Sequence, residues 1–253
     1  MTQTTETTAK VAPKVAIVTG ASRGIGAAIA ERLAKDGMTV IVNYSGNAAA
    51  AEALVDKIEK AGGHARTAQA DVSDPAAVAR MFDAAEAAFG GVDVLVNNAG
   101  IMHVAPIAEN DDTFFDSHIA VNLKGTFNTL REAAKRLRSG GRIVNLSSSV
   151  VGLLQPGYAV YAATKAGVEA MTHILSKEMR GRNITVNAVA PGPTGTRLFF
   201  EGKPQAVIDH LTNISPLQRL GTPEDIAGAI SFLTGPDGAW INGQVLRANG
   251  GAI

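Results

Sequence analysis

The sequence predicts an α/β fold in which a single parallel sheet of seven strands carries helices on both faces. Short apolar runs rich in Val and Ile alternate with helical patterns along nearly the whole chain. Such runs are typical of strands buried on both faces, and the segments between them are long enough for crossover helices. Because the chain has 253 residues and no break in composition, we expect one domain with a doubly wound sheet.

Each predicted element follows from a local pattern. The apolar runs that predict strands lie at residues 15–18, 39–42, 65–70, 92–96, 142–146, 184–189 and 244–247. The clearest helical patterns lie at residues 24–35, 48–61, 75–89 and 158–180. Asp74-Pro75 and Thr222-Pro223 each have the pattern of an N-cap residue followed by proline at the first helical position. Residues 192–221 are rich in proline and lack a clear strand, which predicts a lid over the carboxyl edge of the sheet.

The charge balance and the lack of cysteine exclude several classes of protein. Basic and acidic residues each number 23, so the basic excess of a nucleic-acid-binding protein is missing. Without cysteine there are no disulfides, thiol nucleophiles or cysteine-ligated metals, and we expect a cytoplasmic protein with no metal site. No apolar run approaches the roughly 18–20 residues that span a bilayer, so no membrane partner is expected. Residues 1–12 lack a signal-peptide core and are predicted to form a disordered arm before the domain at 13–253.

Residues 19–26, which read TGASRGIG, lie between the first strand and the first helix. Gly20 permits a tight turn, Gly24 lets the backbone approach a pyrophosphate, and Gly26 allows close packing of helix on sheet. The helix N-terminus adds unpaired N–H groups and a positive dipole end. The alternative is a purely structural turn, but the strand before it and the helix after it favour a dinucleotide site of the Rossmann type. The predicted contacts are Gly20, Ser22, Arg23, Gly24, Ile25 and Gly26.

The second strand indicates which dinucleotide is bound. NAD-selective folds place Asp or Glu near its end for the ribose hydroxyls, whereas residues 43–47 here contain no acid. Arg23 lies in the glycine turn, near the expected position of a 2′-phosphate, and its guanidinium suits that group. The alternative is that Arg23 is a solvated loop charge. We therefore predict NADP(H) as the cofactor, with Asn43 and Ser45 among its contacts.

The third predicted strand leads into Asp71 and Val72, which are also predicted to contact the cofactor. The Asp71 carboxylate can accept a hydrogen bond from the adenine amino group. It can equally well cap the turn that follows, as Ser73 and Asp74 can.

Tyr161 and Lys165 lie four residues apart, so on a helix they share one face. The pKa of a free tyrosine is about 10, and a neighbouring ammonium together with an oxidised nicotinamide is expected to lower it. Tyr158 is a rival, but its partner four residues later is Ala162. An isolated pair of this type is usually a surface feature.

Two further polar positions support a catalytic interpretation of that pair. Residues 147–149 are three serines that end the fifth predicted strand, where a hydroxyl can reach a substrate oxygen beside Tyr161. Asn122 lies in a helical stretch although Asn disfavours helix interiors, so we expect a compensating contact. The alternatives are a strand-ending serine cluster and a core asparagine bonded to the backbone.

Together these residues resemble the short-chain dehydrogenase/reductase family, in its 3-oxoacyl-carrier-protein-reductase-like branch. The resemblance covers residues 14–251, and the NNAG at 97–100 is similar to the family's fourth-strand signature. It implies a catalytic tetrad made of Asn122, Ser148, Tyr161 and Lys165. It also implies cofactor contacts at Asn98, Ala99, Gly100, Tyr161, Lys165, Pro191, Gly192, Thr194 and Thr196. Ser148 is chosen among the serines because it precedes Tyr161 by thirteen residues, as in the family.

The resemblance also implies roles and an assembly. Tyr161 is expected to protonate the carbonyl oxygen, Lys165 to lower the tyrosine pKa and hold the nicotinamide ribose, and Ser148 to position the carbonyl. Asn122 is expected to support a water chain, and family members are commonly homotetramers. Acyl carrier protein is a doubtful partner. Arg182 matches one basic position that holds an acidic carrier, but Ser139 occupies another.

The resulting hypothesis is NADPH-dependent reduction of a small-molecule ketone or other carbonyl to a secondary alcohol. The apolar residues 198–200 favour a small ketone or a quinone-type substrate, with a pocket wall made of Met102, His103, Val151 and Leu153. One alternative is a 3-oxoacyl-carrier-protein reductase of fatty acid synthesis. A second, from another class, is a non-catalytic NADP-binding sensor or scaffold. A methyltransferase on a similar sheet is disfavoured by the missing second-strand acid and by the Tyr–Lys pair.

Overall fold

A computed structural model describes residues 13–253, and the predicted N-terminal arm lies outside this range. The strands are β1 (Val15–Val18), β2 (Thr39–Tyr44), β3 (His64–Gln69), β4 (Val94–Asn97), β5 (Arg142–Leu146), β6 (Thr185–Pro191) and β7 (Val245–Ala248). They form one parallel sheet in the order β3-β2-β1-β4-β5-β6-β7. The predicted seven-stranded, doubly wound sheet is therefore confirmed.

Ten α-helices connect the strands within the described residues. They are α1 (Gly24–Lys35), α2 (Ala48–Lys60), α3 (Pro75–Phe89), α4 (Asp112–His118), α5 (Gly125–Arg136), α6 (Val150–Leu153), α7 (Ala159–Glu178), α8 (Arg197–Phe200), α9 (Gln205–Ile214) and α10 (Pro223–Thr234). A short 3₁₀ turn covers Ile107–Glu109, and a π-helical segment, Ile119–Lys124, joins α4 to α5. None of these helices is both long enough and apolar enough to cross a membrane.

The hydrophobic core lies on both faces of the sheet because side chains alternate along each strand. In β1, Ala16 and Val18 face one apolar cluster, and Val15 and Ile17 face the other. All seven strands were expected to be buried, and this is wrong for the two at the edges. β3 and β7 are partly exposed because each has a neighbouring strand on only one side.

Two predicted helix starts are confirmed in detail. The Asp74 carboxylate accepts a hydrogen bond from the backbone N of Ala76 at 2.8 Å and so caps α3. Thr222 and Asp225 form a reciprocal capping box at the start of α10. Such caps contribute about 1 kcal/mol each, because they satisfy N–H groups that have no partner within the helix.

The strand order positions the site. β1 pairs with β2 on one side and with β4 on the other. The chain adds β2 and β3 on one side of β1 and then crosses over to add β4 on the other side, so the order of the strands reverses at the boundary between β1 and β4. Because all strands are parallel, the loops after β1, β4, β5 and β6 meet at one edge of the sheet. Ligands bind at this switch point in open α/β sheets.

Candidate active site

The glycine turn after β1 is fastened to the loop after β4. The Thr19 hydroxyl accepts hydrogen bonds from the backbone N of Asn98 and of Ala99, both at 3.0 Å. The Asn98 amide donates to the carbonyls of Thr19 and Gly20 at 2.9 and 3.0 Å. A Cβ at Gly26 would lie 2.4 Å from Asn98 Nδ2, so a side chain there would push α1 away from this loop. These contacts hold both loops in place at the switch point.

The N-terminus of α1 is suited to an anion. Arg23 is its N-cap residue, but no side chain caps the helix, and its first turn contains no acid. Gly24 has φ +57°, and a Cβ there would meet nothing nearer than Thr196 Cγ2 at 3.7 Å. The backbone at Gly24 is therefore open toward the loop after β6. Uncapped N–H groups at a helix start bind phosphate, so these residues fit the pyrophosphate of a dinucleotide.

Asn43 lies beneath the glycine turn instead of facing the cleft. It is buried, its Oδ1 accepts from the backbone N of Gly20 at 3.1 Å, and its Nδ2 donates to the carbonyls of Ala68 and Ala70. The side chain joins β2 and β3 to the turn, and both of its N–H donors are used. The hydrogen-bonding groups of this side chain are thus engaged within the chain, and the cofactor contact of Asn43 stays a prediction. Asn43 shapes the turn, and exposed Ser45 extends beyond the strand end.

Arg23 and Asp71 occupy exposed positions on either side of the β2 loop. Arg23 takes part in none of the ion pairs found among residues 13–253. Asp71 Oδ1 accepts from the N and the hydroxyl of Ser73 at 2.9 and 2.7 Å, which is the predicted alternative of turn capping. Val72 is buried, and its carbonyl accepts from Asn128.

Ser148, Tyr161 and Lys165 converge after β5. Ser148 lies close enough to the phenol of Tyr161 to lower the pKa of that phenol, and α7 presents the phenol half-buried at the cleft. Lys165, one turn further along α7, is buried and donates to the carbonyl of Leu146 at 2.7 Å. Its Nζ lies 5.8 Å from the centroid of the Tyr161 ring. The site thus combines a phenol that can donate a proton, a neighbouring hydroxyl, and an ammonium one helical turn from the phenol.

Burial controls the protonation of both ionisable groups. It raises the pKa of Tyr161 to about 12, against the smaller lowering effect of the Ser148 hydrogen bond. It lowers the pKa of Lys165 to about 8. In the chain by itself, desolvation of the phenolate outweighs the other contributions to the phenol pKa. The lowering expected with an oxidised nicotinamide stays a prediction. A raised pKa keeps Tyr161 protonated at neutral pH, as a proton donor must be.

Asn122 lies in the π-helical segment, with its side chain buried and fully engaged. Its Nδ2 donates to the carbonyl of Ile101 at 2.9 Å, and its Oδ1 accepts from the N of Ile101 at 2.8 Å. Its own carbonyl accepts from the hydroxyl of Thr126 at 2.8 Å. We expected a contact that compensates for an asparagine inside a helix, and these two hydrogen bonds to the backbone of Ile101 supply it. π-helical bulges frequently lie at functional sites.

The loop after β6 forms the opposite wall. The carbonyl of Pro191 accepts from the N of Ser149, and Gly192 continues the pairing with β7. Buried Thr194 donates its hydroxyl to the Gly192 carbonyl at 2.9 Å. The Thr196 hydroxyl caps α8, and its methyl group faces Gly24 across the cleft.

The residues of the predicted pocket wall come from two segments, α6 and the loop after β4. Val151 lines a groove of about 460 Å³ together with Ser148, Glu169 and Arg247, on the side of α6 and β7. Glu169 accepts a hydrogen bond from Ser147 at 2.6 Å within this groove. Met102 and His103 lie in the loop after β4, which reaches the same edge of the sheet.

The basic position associated with an acidic carrier has a different role here. The Arg182 guanidinium donates to the carbonyls of Ala134 and Leu137 at the end of α5. Neighbouring Arg138 pairs with Asp93 at 3.0 Å. Both lie at the amino ends of the strands, opposite the cleft. The guanidinium of Arg182 serves as a helix C-cap, and the acyl carrier protein stays a doubtful partner.

A buried polar network beneath the site was not predicted. Asn97 Nδ2 donates to Asn145 Oδ1 at 2.9 Å across β4 and β5. Thr129 on α5 donates to Asn97 at 2.6 Å, and Asn145 donates to Thr172 on α7 at 2.9 Å. The sequence does contain a signal for this network. Asn97 ends β4 and Asn145 lies within β5, although both strands are otherwise rich in Val, Ile and Leu. The network joins both strands to α5 and to α7, the helix that carries Tyr161 and Lys165.

Comparison with known proteins places this arrangement in context. A family model described as enoyl-(acyl carrier protein) reductase matches residues 20–252. A short-chain type dehydrogenase/reductase from Picea abies is 46% identical, over 95% of this chain and 92% of its own length. A chloroplastic NADPH-dependent aldehyde reductase-like protein from Arabidopsis thaliana is 44% identical, over 96% of this chain and 95% of its own.

A solved structure is similar over the same range. It is a short-chain dehydrogenase from Burkholderia cenocepacia in complex with NADP, and it is 39% identical to this chain. The two structures superpose with a TM-score of 0.90, covering 96% of this chain and 99% of that one.

Proposed function

Because the chain belongs to the short-chain dehydrogenase/reductase family, we propose that it reduces a small-molecule carbonyl with NADPH. The single observation that carries the proposal is the convergence of Ser148, Tyr161 and Lys165 at the sheet edge where α1 begins without a cap. The same edge lies at the switch point of the sheet. Among the family's activities, this arrangement supports carbonyl reduction to an alcohol, a reaction on the CH–OH group.

The cofactor would be held by the residues around the switch point. The glycine turn and the start of α1 would hold the pyrophosphate, and Arg23 would pair with a 2′-phosphate. Lys165 and the loop at 191–196 would border the nicotinamide end. When bound, NADPH supplies the hydride. The names of the Arabidopsis relative and of the Burkholderia complex support NADPH as the dinucleotide.

The chain's own groups handle the oxygen and the proton. The Ser148 hydroxyl donates a hydrogen bond to the substrate oxygen and orients it beside Tyr161. The Tyr161 phenol then donates its proton to that oxygen as the alcohol forms. The Lys165 ammonium stabilises the resulting phenolate, and Asn122 holds the backbone of Ile101 beside both.

Residues 192–221, including α8 and α9, would act as the lid over the substrate. Leu198 and Phe200 on α8 are exposed apolar side chains beside the cleft, which suits an apolar ketone or a quinone-type carbonyl. The engagement of Arg182 within the chain argues against an acyl carrier protein as partner.

The proposal is tested by measuring NADPH and NADH oxidation with a panel of substrates. The panel holds an aryl ketone, a diketone, an aldehyde, a 3-oxoacyl thioester and an α,β-unsaturated thioester. We expect turnover with the apolar ketone, diketone or aldehyde, and weaker turnover with either thioester. Tight NADPH binding without turnover on any member would favour the sensor hypothesis, and thioester preference would favour the fatty-acid branch.

Arg23 gives a separate test of cofactor choice. Arg23→Ala should weaken NADPH binding about tenfold or more while leaving NADH nearly unchanged, because a guanidinium–phosphate pair is worth about 1.5–3 kcal/mol. Dissociation constants for both dinucleotides, measured by fluorescence, give the answer. Arg32→Ala is the matched control, since Arg32 pairs with Asp36 on the outer side of α1. An equal loss for both dinucleotides would remove Arg23 from phosphate recognition.

A further inference from the structure

The loop after β4 passes the site as an extended segment, residues 100–105, which we call the strap. Its first part is fixed by Asn122, which bonds both backbone groups of Ile101. Its last residue, Ala105, donates its backbone N to the carbonyl of Gly157 at 3.1 Å. Gly157 precedes the helix that carries Tyr161, so the strap runs beside the reacting groups from one end of the site to the other.

The middle of the strap is held by a buried histidine. His118, the last residue of α4, is fully buried. Its Nε2 accepts a hydrogen bond from the backbone N of His103 at 3.1 Å. Its Nδ1 lies 2.8 Å from the carbonyl of Phe114, which can only accept. Nδ1 must therefore carry the hydrogen, and the ring is the neutral tautomer with Nε2 as acceptor.

Aromatic packing fixes the same ring from its sides. The Phe114 ring lies 4.6 Å from the His118 ring, and the His103 ring lies 5.7 Å away in an edge-on arrangement. Phe114 is itself held, because its backbone N donates to the N-capping Asp111 at 2.7 Å. The orientation of His118 is thus determined by packing and by two hydrogen bonds.

We propose that His118 is a positioning residue for the carbonyl substrate, acting through the backbone of His103. This inference rests on the proposed function, since the strap borders the reacting groups at both ends. A Cβ on Gly100 would lie 3.7 Å from Lys165 Nζ, and Ala105 is bonded to Gly157 just before α7. Asn122 and Gly157 fix only its ends. Without an acceptor at His118, the backbone of His103 loses its hydrogen bond, and the wall that the strap forms beside the substrate loses its shape.

The substitutions follow from this geometry. His118→Leu keeps an apolar side chain in the buried position but leaves the His103 N–H without its acceptor. His118→Gln offers an amide oxygen at a similar distance from the helix and should restore that bond. His64→Leu is the matched control, because His64 is exposed at the start of β3, on the far edge of the sheet.

Steady-state kinetics with the best carbonyl substrate give the first readout. We expect His118→Leu to raise KM about tenfold with kcat changed less than about threefold, and His118→Gln to return KM to near the parent value. NADPH affinity should stay within about twofold in both. An unchanged KM in His118→Leu, a parallel loss of kcat and NADPH affinity, or a failure of His118→Gln to rescue would each overturn the proposal.

Amide hydrogen exchange gives a second readout that needs no turnover. The His103 amide should exchange about tenfold faster in His118→Leu than in the parent, while the Ile101 and Ala105 amides keep their rates. His118→Gln should restore protection, and His64→Leu should change none of the three. Equal His103 exchange in parent and His118→Leu would refute the anchoring itself. A parent protein that reduces no carbonyl would refute the proposed function and leave this result standing.

Discussion

Tyr161→Phe is expected to lower kcat for carbonyl reduction about 10³-fold, the size of effect that a positioned proton donor contributes. The substitution removes only the phenol oxygen, so the ring keeps its place on α7 beside Ser148. With burial raising the pKa of Tyr161 to about 12, the parent enzyme has its proton in place at neutral pH. The variant lacks the phenol proton and cannot donate it to the substrate oxygen. Single-turnover oxidation of NADPH, followed by absorbance, measures the loss.

The matched control for this variant is Tyr158→Phe. Tyr158 is also half-buried and lies one helical turn before Tyr161, but its position faces Ala162 instead of a lysine. It should keep most of the parent activity, and NADPH affinity should stay within about twofold in both variants. If the two phenols exchanged these outcomes, Tyr158 would be the proton donor and Tyr161 a wall residue.

Lys165→Met is expected to lower kcat about 100-fold. The ammonium lies 5.8 Å from the Tyr161 ring centroid, and at an effective dielectric constant near 20 a cation at this distance stabilises a phenolate by about 3 kcal/mol. That energy corresponds to about two orders of magnitude in rate. Methionine is similar in length and apolar, so it fits the buried position without leaving a cavity.

The control here is Lys177→Met, on the same helix but exposed. It should match the parent in kcat, and thermal unfolding should show that Lys165→Met remains folded. Because Lys165 also borders the predicted nicotinamide ribose, we expect a weaker NADPH affinity in that variant alone. Full activity in folded Lys165→Met would show that the phenolate needs no cation beside it.

Much of the fold followed from local patterns. The helix at Gly24–Lys35 and the strand at Arg142–Leu146 begin and end where the sequence predicts, because a glycine turn and an apolar run are short-range signals. The edge strands were less predictable. How far a strand is buried depends on its place in the sheet, and β3 lies at an edge, where one side has no neighbouring strand.

Some site residues could be placed from the sequence, and others could not. Tyr161 and Lys165 could be paired from their spacing, since a four-residue interval on a helix determines a shared face. Asn43 and Arg182 could not be placed, because each side chain is engaged by carbonyls more than 20 residues away in the chain. The polar character of a residue says that it needs partners, but not which groups will supply them.

The sequence by itself determined the doubly wound sheet, the glycine turn and the order of the residues that carry the chemistry, because each depends on neighbours within a few positions. Only the tertiary structure decided how these residues are held. The anchoring of His103 by His118 and the protonation of Tyr161 both depend on burial and on contacts between separate elements. Desolvation and the choice of hydrogen-bond partners are properties of the packed chain, and spacing along the sequence does not contain them.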